Sequence, residues 1–286
     1  MMKFTRMEGL RGTLLESPVW DDRRGVLFLC DIEAGRIHEV SLTRGPLRQW
    51  EMGDKVGSLG LCDSGRLVVA LARSVILFDP DSGARRVLWD GYDELPTSRL
   101  NDGKVGPDGA FWVGGMDGRD PRQPIASLYR VTAQGAAVAI AGGIRVSNGL
   151  AWSPDGRAMY HSDSRGVWID RHDFDPATGA LGTRTRIATP TEAEGRPDGA
   201  ACDAEGAYWA AGVSAGVLNR FAPDGALLAR YPVPVPAPTM PCFCGPGLRQ
   251  LALTSLRPGN DHPLSGSLFL ADAPVAGAPV ARMKGV

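Results

Sequence analysis

The chain has 286 residues and a formal charge of -1, with 31 basic and 32 acidic side chains interspersed. That balance leaves no field to attract a nucleic-acid backbone or an anionic membrane, and a small neutral or weakly charged ligand fits it better. Its 37 glycines, against roughly 20 in an average protein of this length, and its 22 prolines indicate many tight turns and exclude long helices.

In chain order, six apolar runs each follow a turn: VLFLCD, RLVVALA, AFWVGGM, AMYHSDS, AYWAAGV and QLALTSL, behind DDRRG, DSG, PDG, SPDG, DAEG and GPG. Glycine supplies positive φ in such turns, and Asp or Pro begins the bend. The predicted strands start near Val26, Leu67, Phe111, Met159, Tyr208 and Leu251, at intervals of 41, 44, 48, 49 and 43 residues. Strand repeats of that period belong to a β-propeller, one four-stranded blade per repeat. The expected fold is all-β, a six-bladed β-propeller of four-stranded antiparallel blades around a central channel, with residues 1–286 as one domain. The first strand of each blade should precede the turn, as in Pro18 to Trp20, Gly149 to Trp152 and Gly199 to Asp203. Residues 3 to 10 are expected to close the ring on the last blade around Ser267 to Ala273. The Pro-rich run from Tyr231 to Pro241 reads as an extended inter-blade connection.

Several chemistries drop out. Cys30, Cys62, Cys202, Cys242 and Cys244 are odd in number and lack metal spacing, so they read as buried small hydrophobes. The segment MMKFTRMEGLRG lacks the apolar core of a secretory signal, and no run approaches the 18 apolar residues of a membrane helix; a cytoplasmic location is expected. His38, His161, His172 and His262 lie off the phase that faces the axis, which argues against a zinc site built on imidazole. H-E-x-x-H and Gly-rich phosphate loops are missing from the sequence. Asp170, Asp173 and Asp175 with Gly179 fail the EF-hand spacing and read as a solvated hairpin loop.

About ten residues before each strand start, the chain should pass from the outside of one blade to the axis. Glu16, Ser58, Asn101, Asn148, Asp198 and the Thr239 to Pro241 turn occupy that phase. Glu16, Asn101, Asn148 and Asp198 lie 10, 10, 11 and 10 residues upstream of their strands. Any one Asn or Asp before Gly is an ordinary turn residue. Four hard-oxygen side chains at one phase outline a cation site: two carboxylates neutralise a divalent charge, carboxamide oxygens add neutral ligands, and water completes the shell. Glu16 strengthens the pattern, because no turn chemistry requires Glu before Ser17-Pro18.

The islands LLESPVW, SRLNDGKVGPDGAFWVGGM, SNGLAWSPDGRAMYHSDS, HDFDPATGAL and GRPDGAACDAEGAYWAA, with the APT segment near Ala237, resemble the gluconolactonase and regucalcin family (senescence marker protein type) from about residue 12 to 272. The resemblance implies a six-bladed propeller that hydrolyses sugar lactones with one divalent metal ion on the axis, Ca2+, Mn2+, Mg2+, Zn2+ or Fe2+. By it, Glu16, Asn148 and Asp198 would ligate the metal, Arg99 and Asn101 would hold substrate, and Asp198 would be the general base. The implied substrate is an aldonolactone, such as gluconolactone or a pentonolactone, and the chain a monomer or weak homo-oligomer. Two other readings stay open, a phosphotriesterase-like hydrolase on the same fold and a non-catalytic calcium-binding propeller. Two departures from the family pattern stand out: Leu15-Glu16-Ser17-Pro18 replaces GEGP, and MDGRDPRQP occupies the place where some relatives put an acidic residue that reaches the substrate. Asp117, Arg119 and Asp120 are the candidates to stand in.

Overall fold

In the computed structural model, which describes residues 2–257, 259 and 262–286, the repeats fold into six four-stranded antiparallel sheets. The periodic apolar runs form the second strand of each: Val26–Asp31, Leu67–Leu71, Phe111–Met116, Ala158–Asp163, Tyr208–Gly212 and Gln250–Ser255. Each blade is packed on both faces by its neighbours, so strands such as Val26–Asp31, Phe111–Met116 and Ala158–Asp163 are buried at every residue. Burial on both faces explains why these runs read as continuously apolar instead of alternating.

The innermost strands are Leu15–Asp21, Val56–Leu61, Arg99–Val105, Ser147–Trp152, Pro197–Cys202 and Pro238–Cys244. They pack side by side in cyclic order, the sixth against the first, which closes the ring around a channel. Thr5–Arg11 becomes the outermost strand of the sixth blade, with Thr5 opposite Leu270 and Arg6 opposite Phe269, the closure expected of residues 3–10. The Pro-rich run divides. Its beginning lies in the outer strand Leu227–Pro232, residues 233–237 make the connection, and Pro238 and Pro241 lie inside an innermost strand. An innermost strand has a free edge toward the channel, so a missing N–H there leaves no partner unsatisfied.

The C-terminal segment runs across one end of the channel, a contact the sequence pattern does not announce. Ala278 N donates to Cys202 O at 3.0 Å, Met283 N to Leu61 O at 2.8 Å and Lys284 N to Gly109 O at 3.2 Å. Arg282 pairs with Asp21 at 2.7 Å and Asp22 at 2.6 Å. Four blades are thereby tied together at that end.

All six innermost strands carry a register shift at the same height, between Glu16 and Val19, Val56 and Ser58, Leu100 and Gly103, Asn148 and Ala151, Pro197 and Ala200, and Pro238 and Pro241. Such bulges insert an extra residue and re-aim the side chains around it. Blade 4 can approach the bulge of blade 3 because Gly114 lies between them: a Cβ there would fall 1.8 Å from Ser147 Oγ. Gly114→Ala is therefore expected to destabilise the fold by about 1–3 kcal/mol through overpacking. A urea midpoint equal to that of the native chain would contradict this close approach.

Candidate functional site

The polar islands that read as turns before the strands lie within the innermost strands, at the bulges. Two residues of each bulge face one residue of the next strand, so the side chain there points along the channel instead of alternating. Ser17, which follows Glu16, adopts φ of +49°, a region sparsely used by residues other than glycine. Its N–H donates to Glu16 Oε2 at 2.7 Å and its Oγ accepts from Leu59 N at 2.9 Å. The equivalent residue after Asn148 is Gly149, with φ of +65°. The acidic ends of the second strands, Asp31 and Asp163, hold the approaches: Asp31 accepts from Thr13 N and Leu14 N, and Asp163 from Arg145 N and Val146 N.

Glu16, Arg99, Asn101, Asn148 and Asp198 all line one cavity of about 690 Å³, its open mouth included. Ser58 and Thr239 share the phase but are not part of its wall; Thr239 Oγ1 instead donates to Leu15 O at 2.6 Å. A continuous hydrogen-bonded chain runs around the floor. Arg99 Nη1 donates to Asn101 Oδ1 at 2.7 Å, Asn101 Nδ2 to Asn148 Oδ1 at 3.2 Å, and Asn148 Nδ2 to Asp198 Oδ1 at 2.7 Å. Asn148 Nδ2 also donates to Ser164 Oγ at 2.7 Å, which fixes which end of the carboxamide faces the cavity.

The phase argument passes over two charged residues, one in the floor and one below it. Asp102 is adjacent to Asn101, and strict strand alternation would turn it away. The bulge sets both residues opposite Gly114, so Asp102 also lines the cavity. Its Oδ2 accepts from Leu150 N at 3.0 Å, and its buried Oδ1 has no protein partner. Lys104 lies further down the channel, where Nζ donates to Ala200 O at 2.6 Å. A bulge signal in the LNDG island would have been needed to find Asp102, and none is readable from residue types.

Burial, then the charge of Asp102, pushes the Asp198 carboxyl up to about 8. Burial, followed by the charges of Asp198 and Asp102, raises Glu16 well above the usual carboxylate range, and burial raises Asp102. Three carboxylates thus crowd one poorly solvated space, an arrangement that a cation relieves. Among the described residues no three His, Cys, Asp or Glu side chains are grouped to hold a metal by themselves, so a carboxamide oxygen would have to complete any such set.

The segment after Met116 contributes differently from the expectation. Asp117 is fully buried and accepts from Gln123 N at 2.6 Å and Arg119 Nε at 3.0 Å. Neither it nor Arg119 nor Asp120 lines the cavity; Arg122 does, as do Arg165 and Arg196. Elsewhere, the five cysteines are buried and unpaired. Asp170 is a buried strand residue ion-paired with Arg184 at 2.8 Å and with Arg186, not part of a solvated loop. A second cavity beneath the first, bounded by Lys104, Trp152, Met240 and the C-terminal Ala278 to Ala281, holds none of Glu16, Asp102 or Asp198, so the polar chemistry belongs to the upper one.

A sequence profile of the SMP-30/gluconolactonase/LRE-like region matches residues 14–257. A 6-deoxy-6-sulfogluconolactonase of Pseudomonas putida is 38% identical over 92% of this chain and 92% of its own length. An L-arabinolactonase of Azospirillum brasilense is 32% identical over 98% and 95%. Among solved structures, a calcium-binding protein, regucalcin from Agrobacterium tumefaciens, superposes with a TM-score of 0.91 at 28% identity, covering 99% of this chain and 98% of that one. With this profile match and these relatives, the chain belongs to the SMP-30/gluconolactonase/LRE-like family, whose members include lactonases and regucalcins.

Proposed function

We propose that this chain hydrolyses a sugar lactone to its aldonic acid with the help of one divalent cation. The observation that carries the reading is the floor of the upper cavity. Glu16, Asn148 and Asp198 from three separate blades meet there, and the chain from Arg99 through Asn101 to Asn148 and Asp198 runs beside them. Asp102 Oδ1, buried without a partner, and the raised carboxyls support this reading, because hard oxygens crowded in one space fit a cation. Glu16, Asn148 and Asp198 would hold it. Their oxygens are hard ligands open to Ca2+, Mg2+ or Mn2+ and, by geometry, to Zn2+ or Fe2+.

When bound, the ion would act as a Lewis acid toward the lactone carbonyl, worth several kcal/mol of transition-state stabilisation, and would favour the ionised form of the carboxylates. Asp198, in its ionised form, accepts the proton of the attacking water as its oxygen bonds to the carbonyl carbon, and returns that proton to the ring oxygen as the ester bond opens. Arg99 donates to the sugar's oxygens through its remaining N–H groups, and Asn101, whose Oδ1 accepts from Arg99 Nη1, orients that guanidinium toward the ring. Asn148 positions Asp198 through the 2.7 Å hydrogen bond to Oδ1. The relatives include a 6-deoxy-6-sulfogluconolactonase and an L-arabinolactonase, which supports an aldonolactone of six or five carbons.

The test is turnover by metal-depleted protein on a panel of sugar lactones, with single ions added back and spontaneous opening subtracted. The expected result is background rates without an ion and restored hydrolysis with one. Full activity after chelation would remove the metal from the reading. Faster hydrolysis of an organophosphate ester would favour the phosphotriesterase-like alternative. Calcium binding without turnover on any substrate would favour a non-catalytic propeller, the reading that the calcium-binding relative supports.

A further inference from the structure

Above the acidic floor the cavity has a basic rim. Arg99 comes from the inner strand of blade 3, Arg122 from the segment after Met116, Arg165 from the turn after Asp163, and Arg196 from the approach to Pro197; all four line the cavity that holds Glu16 and Asp198. Some arginines elsewhere in the chain are matched to buried carboxylates, as in Arg130 with Asp108 at 2.7 Å and Arg220 with Asp203 at 2.7 Å. At the rim, four guanidiniums share one opening without such a match. Among the described residues, Arg99, Arg122 and Arg165 make no ion pair, and Arg196 reaches only the exposed Glu192 at 3.3 Å, while its own Nε is buried without a partner.

The scaffold holds these guanidiniums in place instead of neutralising them. Arg122 Nε donates to Asp117 O at 2.9 Å, and the Arg122 carbonyl accepts from the Arg145 guanidinium. Asp163, besides fixing the approach to Ser147, accepts from Arg165 N at 2.9 Å and Gly166 N at 2.7 Å, which sets where Arg165 starts. Partial desolvation at the cavity mouth, then the charges of Arg196 and Arg122, holds the Arg165 guanidinium below its ordinary range. Several like charges kept around one opening cost energy that a neutral sugar ring would not recover. A tetrahedral oxyanion would, since planar guanidiniums bind its oxygens through paired N–H donors.

We infer that the lactone taken by this site carries a fixed anionic group, a sulfonate or a phosphate, remote from the carbonyl and seated among Arg122, Arg165 and Arg196. This rests on the lactonase reading and narrows it: the acidic floor would face the reacting ester and the basic rim the charged end, so one cavity separates the two ends of the substrate by charge.

The test compares kcat/KM of the ion-supplemented enzyme on δ-gluconolactone, its 6-deoxy-6-sulfonate and its 6-phosphate. At least about a tenfold preference for the anionic lactones is expected, shown mainly in KM and shrinking at high ionic strength as the charges are screened. Arg165→Gln and Arg122→Gln should each lower that preference severalfold; Arg165 is exposed, so its replacement leaves the fold intact. Preference for both anions would assign the shared oxyanion chemistry, and preference for the sulfonate alone would assign the singly charged group. Equal or faster turnover of the neutral lactone, insensitive to salt and to both substitutions, would overturn the inference while leaving the lactonase reading standing. If no lactone is turned over with any ion, the lactonase reading fails. The rim is then judged by calorimetry with the open-chain 6-sulfonated acid against gluconate, where equal affinities would overturn it.

Discussion

Asparagine in place of Asp198 is expected to lower lactone turnover by about 10²–10⁴-fold, the range lost with a general acid–base group, while the fold and much of the cation affinity remain. The carboxamide has nearly the same shape and keeps an oxygen to accept the 2.7 Å hydrogen bond from Asn148 Nδ2, so the chain of contacts from Arg99 survives. What disappears is a group that can take a proton from water and give it back to the ring oxygen. Initial rates by pH-indicator assay, corrected for spontaneous opening, read the first effect, and thermal unfolding with and without the ion reads the second. Near-normal rates in Asp198→Asn would remove this residue from the base role and turn attention to Asp102, whose buried Oδ1 has no protein partner.

The second large effect concerns stability in the absence of a cation. The Asp198 carboxyl is pushed up to about 8 in the folded chain from 3.8, and Glu16 and Asp102 are raised in the same direction. Between about pH 4 and pH 8 the folded chain therefore binds more protons than the unfolded one, and stability falls as pH rises through that window. Each unit of difference corresponds to about 1.4 kcal/mol, so chelated protein should lose on the order of a few kcal/mol between pH 5 and pH 8. A divalent cation binds the ionised carboxylates and stabilises by mass action, so its effect on Tm should grow with pH. Melting curves of chelated protein with and without calcium or manganese at both pH values check this. Equal Tm values at pH 5 and pH 8, unmoved by either ion, would show that the three carboxylates do not form a common electrostatic site.

These two results bear on each other. A base that is largely protonated in the ion-free site gains its function only when positive charge restores the carboxylate. Loss of activity on chelation and loss of stability with rising pH would then have a single cause, the crowding of Glu16, Asp102 and Asp198 in one poorly solvated space.

The periodic apolar strands were legible from residue order alone, because strand burial on both blade faces demands unbroken runs such as VLFLCD and FWVGGM, and the turns between them demand Gly and Asp. The spacing of those runs determined six blades, and the shared phase of Glu16, Asn101, Asn148 and Asp198 determined that they would converge. Ring closure by Thr5–Arg11 was legible as well, since a propeller commonly closes by letting one terminus supply a strand to the blade made by the other. Only the tertiary structure decided how the convergence is made. The bulges break strand alternation, and that break brings Asp102 to the cavity beside Asn101, an outcome period-two reasoning reverses. The arginine rim likewise joins positions 99, 122, 165 and 196, which share no phase or motif. They meet because loops from successive blades end at one rim, and closure of a ring sets that adjacency, which no local pattern encodes.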